Sequence, residues 1–218
     1  MMVSASITSE MLDELRADLA HQMSPKRYTH TCAVEEMIQR LSDLYCPDAT
    51  MELRAAALLH DLTKEESLQN QLQMCREFGI MVRSEDVLSP KTFHAKTAAA
   101  KIGRDYPAFA TETVVLAVRW HTTGHAGMTL TEQLLYLADY IDESRKFPDC
   151  VRLREYFWGA CPETMDREKR LAHLRDALIL SYDMTMRNLL AESVPISPDT
   201  VLSRNELIAL REGTGEIT

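Results

Sequence analysis

Apolar residues recur along most of this chain at spacings of three and four, the signature of helices with one buried face. In residues 28–45 these positions are Val34, Met37, Ile38, Leu41 and Leu44, and Pro47 marks the end. An earlier helix is expected over 7–22, with Glu10 in its acidic first turn as the start signal. Residues 50–62 differ. The run from Ala55 to Leu59 is apolar on every side, so this helix belongs in the middle of the protein. Residues 65–78 are more polar and are expected on the outside. Phe93, Ala95, Thr97, Ala98 and Ile102 predict a helix over 93–104. Val114, Val115, Leu116 and Val118 predict another over 108–120, with Pro107 at its start. These valines would also suit a strand, but alternation and partner strands are missing. Gly124 and Gly127 break the chain, and Leu134, Leu135, Leu137, Ala138 and Ile141 then predict a helix over 130–143. A last long helix is expected over about 164–192. The pattern predicts an all-α protein.

Composition agrees. The 218 residues include only 7 Gly and 8 Pro, too few for the many turns of an all-β fold, and good helix formers are abundant. No internal repeat or low-complexity linker interrupts the chain. The net charge is −9, which disfavours a broad nucleic-acid surface. Five cysteines (Cys32, Cys46, Cys75, Cys150, Cys161), an odd count without a CxxC pair, argue against a disulfide framework or a Cys-rich zinc site. No stretch approaches the roughly 18 apolar residues of a membrane span, and the N-terminus has acids where a secretion signal has basic residues. These features predict a reducing, cytoplasmic setting without membrane or nucleic-acid partners.

The ionisable residues inside apolar segments change the picture most. His60 and Asp61 stand at the end of the apolar helix, and Asp139 lies within the run LLYLADYI. Burying such groups is costly unless something compensates, and a divalent metal would compensate several at once. His30 sits one turn before Val34, on or beside the apolar face. Singly, each has a plain explanation: a satisfied core histidine, a chance His-Asp pair at a helix end, or an Asp139–Arg145 ion pair. Together, His30, then His60-Asp61, then Asp139 supply four ligands from three helices, as metal sites in helical bundles do. The mixture of imidazole and carboxylate suits Fe, Mn, Zn or Co.

The order H…HD…D resembles the HD-domain metal-dependent phosphohydrolases. The segments RYTHTCAV (27–34), AALLHDLTK (56–64), FHAKTAA (93–99), AVRWHTTG (117–124), LLYLADYIDESRKF (134–147) and VLSRNEL (201–207) extend the likeness to the bacterial YqeK-like group, the symmetrical diadenosine tetraphosphate hydrolases. One departure is Asp142, where that group usually has Glu. The resemblance implies a single HD-type helical bundle over 1–218, its core at about 22–192 and its metal site between central helices. It implies metal ligation by His30, His60, Asp61 and Asp139, with iron as the metal and Mn, Co or Zn compatible. It also implies a phosphate site formed by Lys64, His94, His121, Thr122 and Arg145, joined by Arg27.

An acidic protein must then hold a polyanionic nucleotide. Two histidines and two aspartates leave a divalent site formally neutral. Lys64, Arg145 and protonated His94 or His121 are therefore expected to make the pocket locally positive. A metal-activated water would attack, with Asp61, His94, His121 and Lys64 as the catalytic set, and His94 or His121 as proton donor. His121 at a helix end could instead serve as a C-terminal cap, and His94 with His121 could hold a second ion. His125 lies among glycines and is left out. His21 and His173 read as surface histidines, and Tyr136, Phe157 and Trp158 as core rather than base-stacking residues. Other nucleotides as substrate, a non-catalytic nucleotide-sensing role and a homodimer are the alternatives the sequence admits.

Overall fold

Side-chain caps set where most of the helices begin. The computed structural model describes residues 6–213. Helix α1 (Ser9–Gln22) starts at Thr8, whose hydroxyl accepts the Met11 N–H. Helix α2 (Pro25–Tyr45) is capped by Ser24, with Pro25 in the first turn where its missing N–H costs nothing. It opens three residues before the predicted start, which places His30 in its second turn. The central helix α3 (Thr50–Leu59) is followed by α4 (Leu68–Glu77), the one-turn α5 (Ser84–Val87) and α6 (Phe93–Asp105). Helix α7 (Glu112–Trp120) begins at the Thr111 cap, so the predicted start at Pro107 is corrected: Pro107–Phe109 is a separate 3-10 turn. Helix α8 (Leu130–Ile141) carries a reciprocal capping box between Thr129 and Glu132.

Three helices follow. Helix α9 (Pro148–Gly159) was not expected from the pattern; it buries Cys150, Leu153 and Phe157, one residue per turn. The predicted helix over 164–192 resolves into a 3-10 turn at Pro162–Thr164 and then α10 (Arg167–Ala191), which starts at the Asp166 cap. Helix α11 (Pro198–Arg211) packs on α10. His173 is corrected from a surface histidine: half-buried, it bonds the Phe157 carbonyl at 2.9 Å and stacks on the Phe157 ring, docking α10 on α9. No strand occurs among the described residues, no helix among them is long and apolar enough to cross a membrane, and all five cysteines are free.

Helix α3 lies at the centre because nothing on it needs water. Leu53, Ala55, Ala56, Ala57, Leu58 and Leu59 are all fully buried. The small alanines let α1, α2, α7 and α8 approach it closely. Burying such side chains contributes about 1.5–3 kcal/mol for each large one. The consequence for function is positional. Whatever follows Leu59 emerges in the interior, walled by α2, α7 and α8, and the next two residues are His60 and Asp61.

Candidate metal centre

Five neighbouring segments each deliver an ionisable side chain to one point. His30 comes from α2, His60 and Asp61 from the end of α3, His94 from α6, His121 from the end of α7 and Asp139 from α8. Two overlapping groups have their ligand-capable atoms within 4.8 Å of one another: His30, His60 and Asp139, and His60, Asp61 and His121. His60 belongs to both. The first group holds three of the four residues read as ligands from the sequence, and Asp61 joins through the second. His121, read from the sequence as a phosphate handler, shares that second group.

Hydrogen bonds fix which nitrogen each ring presents. His60 Nδ1 lies 2.6 Å from the Ala57 carbonyl, and His121 Nδ1 lies 2.7 Å from the Val118 carbonyl. A carbonyl can only accept, so in both rings Nδ1 donates, and the neutral ring keeps a lone pair on Nε2. Each imidazole thus caps the last turn of its own helix with one edge and faces the cluster with the other. The two readings of His121, helix cap and site residue, are therefore compatible. His30 is oriented by Ser144 Oγ at 3.2 Å and Asp142 Oδ2 at 3.4 Å from its Nδ1. Its Nε2 lies 3.0 Å from Asp139 Oδ1 and 3.6 Å from Asp61 Oδ2. His60 Nε2 is 3.4 Å from Asp61 and 3.5 Å from Asp139. Both Nε2 atoms are buried and neither has a hydrogen-bond partner. Two orphaned nitrogens facing two carboxylates are the donor set of a cation.

The charges are arranged around that point. Burial would raise the Asp61 pKa, but the positive charge of His60 in the metal-free cluster holds it well below the carboxylate range. Burial likewise opposes ionisation of Asp139, and Arg145 with the two histidines keeps it ionised. Arg27 bonds Asp61, and Arg145 Nη2 reaches Asp139 Oδ1 at 2.5 Å, so the ion pair foreseen for Asp139 coexists with its place in the cluster. Lys64 Nζ stands 3.1 Å from His94 Nε2 and 3.8 Å from Asp61 Oδ1. Thr122 Oγ1 is 3.2 Å from the Nε2 of both His94 and His121.

One electrostatic expectation is corrected. Burial pushes the His94 pKa down to about 3 and lowers that of His121 as well. Burial thus disfavours the imidazolium form of both rings. The positive charge of the rim comes from Lys64, Arg27 and Arg145, without the imidazolium expected from the sequence.

The structure also adds residues. Asp142, noted only as a departure from Glu, is fully buried beside His30 and Arg145. Lys26, Lys146 and Phe147 border the cluster; the run Arg145-Lys146-Phe147 before Pro148, two cations and an aromatic at a helix boundary, was the available signal. Outside the cluster, His125 pairs with Glu132 at 2.9 Å and packs on Trp120.

Residues 27–144 match the family model of the HD domain, more than half of the chain. The chain belongs to the HD-domain family. Its matched HD-domain stretch contains all six ionisable residues of the cluster. This HD-domain chain is also similar to three bacterial proteins named bis(5'-nucleosyl)-tetraphosphatase, symmetrical. The one from Bacillus subtilis is 30% identical over 199 residues, covering 90% of this chain and 97% of that protein. The one from Staphylococcus aureus is 34% identical, covering 78% and 86%, and the one from Halalkalibacterium halodurans 30%, covering 85% and 91%. Among solved structures, a predicted HD superfamily hydrolase involved in NAD metabolism from Clostridium acetobutylicum superposes with a TM-score of 0.78 at 27% identity. It spans 94% of this chain and 100% of its own.

Proposed function

We propose that this HD-domain protein is a metal-dependent hydrolase that cleaves diadenosine tetraphosphate symmetrically into two ADP. His30, His60, Asp61 and Asp139 are the metal ligands in this reading, and iron is the metal that the resemblance and the imidazole–carboxylate donor set favour. The observation that carries it is the pair of buried, unpartnered Nε2 atoms of His30 and His60, aimed at the carboxylates of Asp61 and Asp139. The names of the three bacterial relatives support the substrate.

When bound, the metal supplies a Lewis acid that lowers the pKa of a coordinated water and polarises a phosphoryl group. The protein's own residues do the rest. Arg27 and Arg145 sit against the two aspartates, where their guanidinium groups can exchange a carboxylate for a phosphate oxygen. Lys64 reaches the same rim, and burial lowers its pKa, so the ammonium gains from an anionic partner. Neutral His94 meets both Lys64 and Asp61 through its Nε2, so it positions that lysine and stands where a proton can pass toward the leaving phosphate. Thr122 offers a hydroxyl beside both rim histidines.

The test is metal content beside product identification. Wild-type protein should carry the metal and convert diadenosine tetraphosphate to ADP alone. Asp61→Ala and Asp139→Ala should lose both metal and turnover, and Lys64→Ala should keep the metal while binding substrate more weakly. AMP with ATP as products, or full turnover in metal-free Asp139→Ala, overturns the proposal.

A further inference from the structure

Helix α8 ends in the interior without a glycine to turn the chain. The backbone leaves the helix at the fully buried Asp142, with φ −59 and ψ 154, and α9 begins at Pro148. A helix end of this kind leaves carbonyls with no partner inside the helix, and they must be satisfied from elsewhere. Arg154, in the second turn of α9, supplies the donors. Its Nη1 donates to the Ile141 carbonyl at 3.2 Å and to the Asp142 carbonyl, and its Nη2 donates to the Arg145 carbonyl at 3.1 Å. Its Nε faces the Glu143 carboxylate at 3.5 Å. One guanidinium therefore grips the main chain at both ends of the turn over 141–145.

That turn carries the side chains that brace two of the proposed metal ligands. Asp142 Oδ2 and Ser144 Oγ lie 3.4 and 3.2 Å from Nδ1 of His30. The Ser144 N–H donates to Asp142 Oδ1 at 2.8 Å, which locks the two together. Arg145 donates to the Asp139 backbone carbonyl and, at 2.5 Å, to its carboxylate. Arg154 acts on the backbone that these three residues share, so a shift at its guanidinium moves all of them at once. Among the described residues, it bonds no member of the cluster itself. It also lies outside the stretch over 27–144 that matches the HD domain.

We infer that Arg154 is a positioning residue of the metal centre, setting His30 through Asp142 and Ser144, and Asp139 through Arg145, by holding the turn between α8 and α9. The inference rests on the metal-dependent reading above and extends its machinery to α9. Arginine is required because its planar fork presents donors in several directions at fixed geometry. Lysine keeps the stem and the charge, but a single ammonium cannot span carbonyls at both ends of the turn.

The test compares Arg154→Lys with Leu153→Ala, its neighbour in the buried face of α9. Affinity for Fe²⁺ is measured anaerobically against a competing chelator, with Mn²⁺ in parallel, and stability by urea unfolding. Both variants should lower the unfolding midpoint, Leu153→Ala at least as much, because it leaves a cavity. Only Arg154→Lys should weaken metal binding, by about tenfold, as expected when a supporting contact behind a ligand is lost. Arg154→Gln, which also loses the fork, should weaken it at least as much. In Asp142→Asn/Arg154→Lys the combined loss should be smaller than the product of the separate losses, since both act on His30. Unchanged metal affinity in Arg154→Lys or Arg154→Gln, an equal loss in Leu153→Ala, or fully multiplicative losses in the double variant would overturn the inference. The two readings separate by the wild type. Tight metal binding unaffected by Arg154 leaves the hydrolase reading standing without the positioning role, whereas a wild type that binds neither metal removes both.

Discussion

Gly124 closes α7 directly after His121, Thr122 and Thr123, and it does so at φ +61 with no room for a side chain. A Cβ there would lie 1.9 Å from the hydroxyl of Tyr182 and 3.0 Å from both its Cζ and Met128 Sδ. Tyr182 cannot swing away. It is fully buried, packs against Tyr136 at 4.7 Å, accepts a bond from Ser203 Oγ at 2.9 Å and points its hydroxyl at Met128 Sδ. Three costs follow for Gly124→Ala: roughly 1 kcal/mol for the left-handed backbone, roughly 1–3 kcal/mol for forcing a packed ring aside, and roughly 1 kcal/mol for the Ser203 bond. The sum is about 3–5 kcal/mol by these principles. Gly127→Ala is the control, because Gly127 has φ +79 but nothing within 4 Å of its Cβ; it should cost only about 1 kcal/mol. Urea unfolding with linear extrapolation measures all three proteins. Tyr182→Phe removes the clashing oxygen, so adding it to Gly124→Ala should recover part of the loss. Equal stabilities for the two alanine variants, or no recovery in the double variant, would refute the packing argument.

Three further outcomes are expected. Thr63 Oγ1 donates to the His94 carbonyl at 3.0 Å and meets Thr97 Oγ1 at 2.8 Å, tying the His60-Asp61 turn to α6; Thr63→Val should cost about 1–3 kcal/mol in unfolding and reduce turnover more than metal content. In Asp142→Asn, the side-chain oxygen can still cap the Ser144 N–H at 2.8 Å, but an amide would face His30 and Arg145; metal affinity should fall about 10–100-fold with little change in melting temperature, and an unchanged affinity would show that Asp142 does not position His30. Without metal, burial opposes a proton on His60, yet the charge of Asp61 and the Asp139 carboxylate pull its pKa up to about 10. The raised value means the proton is bound at neutral pH and must be displaced by the metal, so metal affinity should rise with pH from 6.5 to 8.5 and fall with acid; a flat profile by competitive chelation would contradict this.

The segments around the site were legible because their apolar periodicity is strong. The run Ala55–Leu59 marked the central helix, and His60, Asp61 and Asp139 stood out as charges in apolar surroundings. What was not legible depends on packing between distant segments. Helix α9 interleaves Arg152, Arg154 and Glu155 with its apolar residues, so its buried face shows only once α8 and α10 supply neighbours for Cys150, Leu153 and Phe157. The neutrality of His94 is set by burial between α6, Lys64 and His121, which no local pattern records. His173 looked exposed because its own segment is polar; the Phe157 carbonyl that holds it belongs to another helix. Asp142 was visible as a departure from Glu, but its role beside His30 needed the turn after α8.

If His30, His60, Asp61 and Asp139 hold the metal needed for cleavage at the middle of a nucleotide's phosphate chain, metal and turnover must disappear together. The most direct measurement is elemental analysis of wild type and Asp139→Ala beside chromatography of the products formed from diadenosine tetraphosphate. Metal and ADP alone are expected for wild type, and neither for the variant. Metal-free protein that still releases ADP, or wild type that yields AMP and ATP, would contradict it.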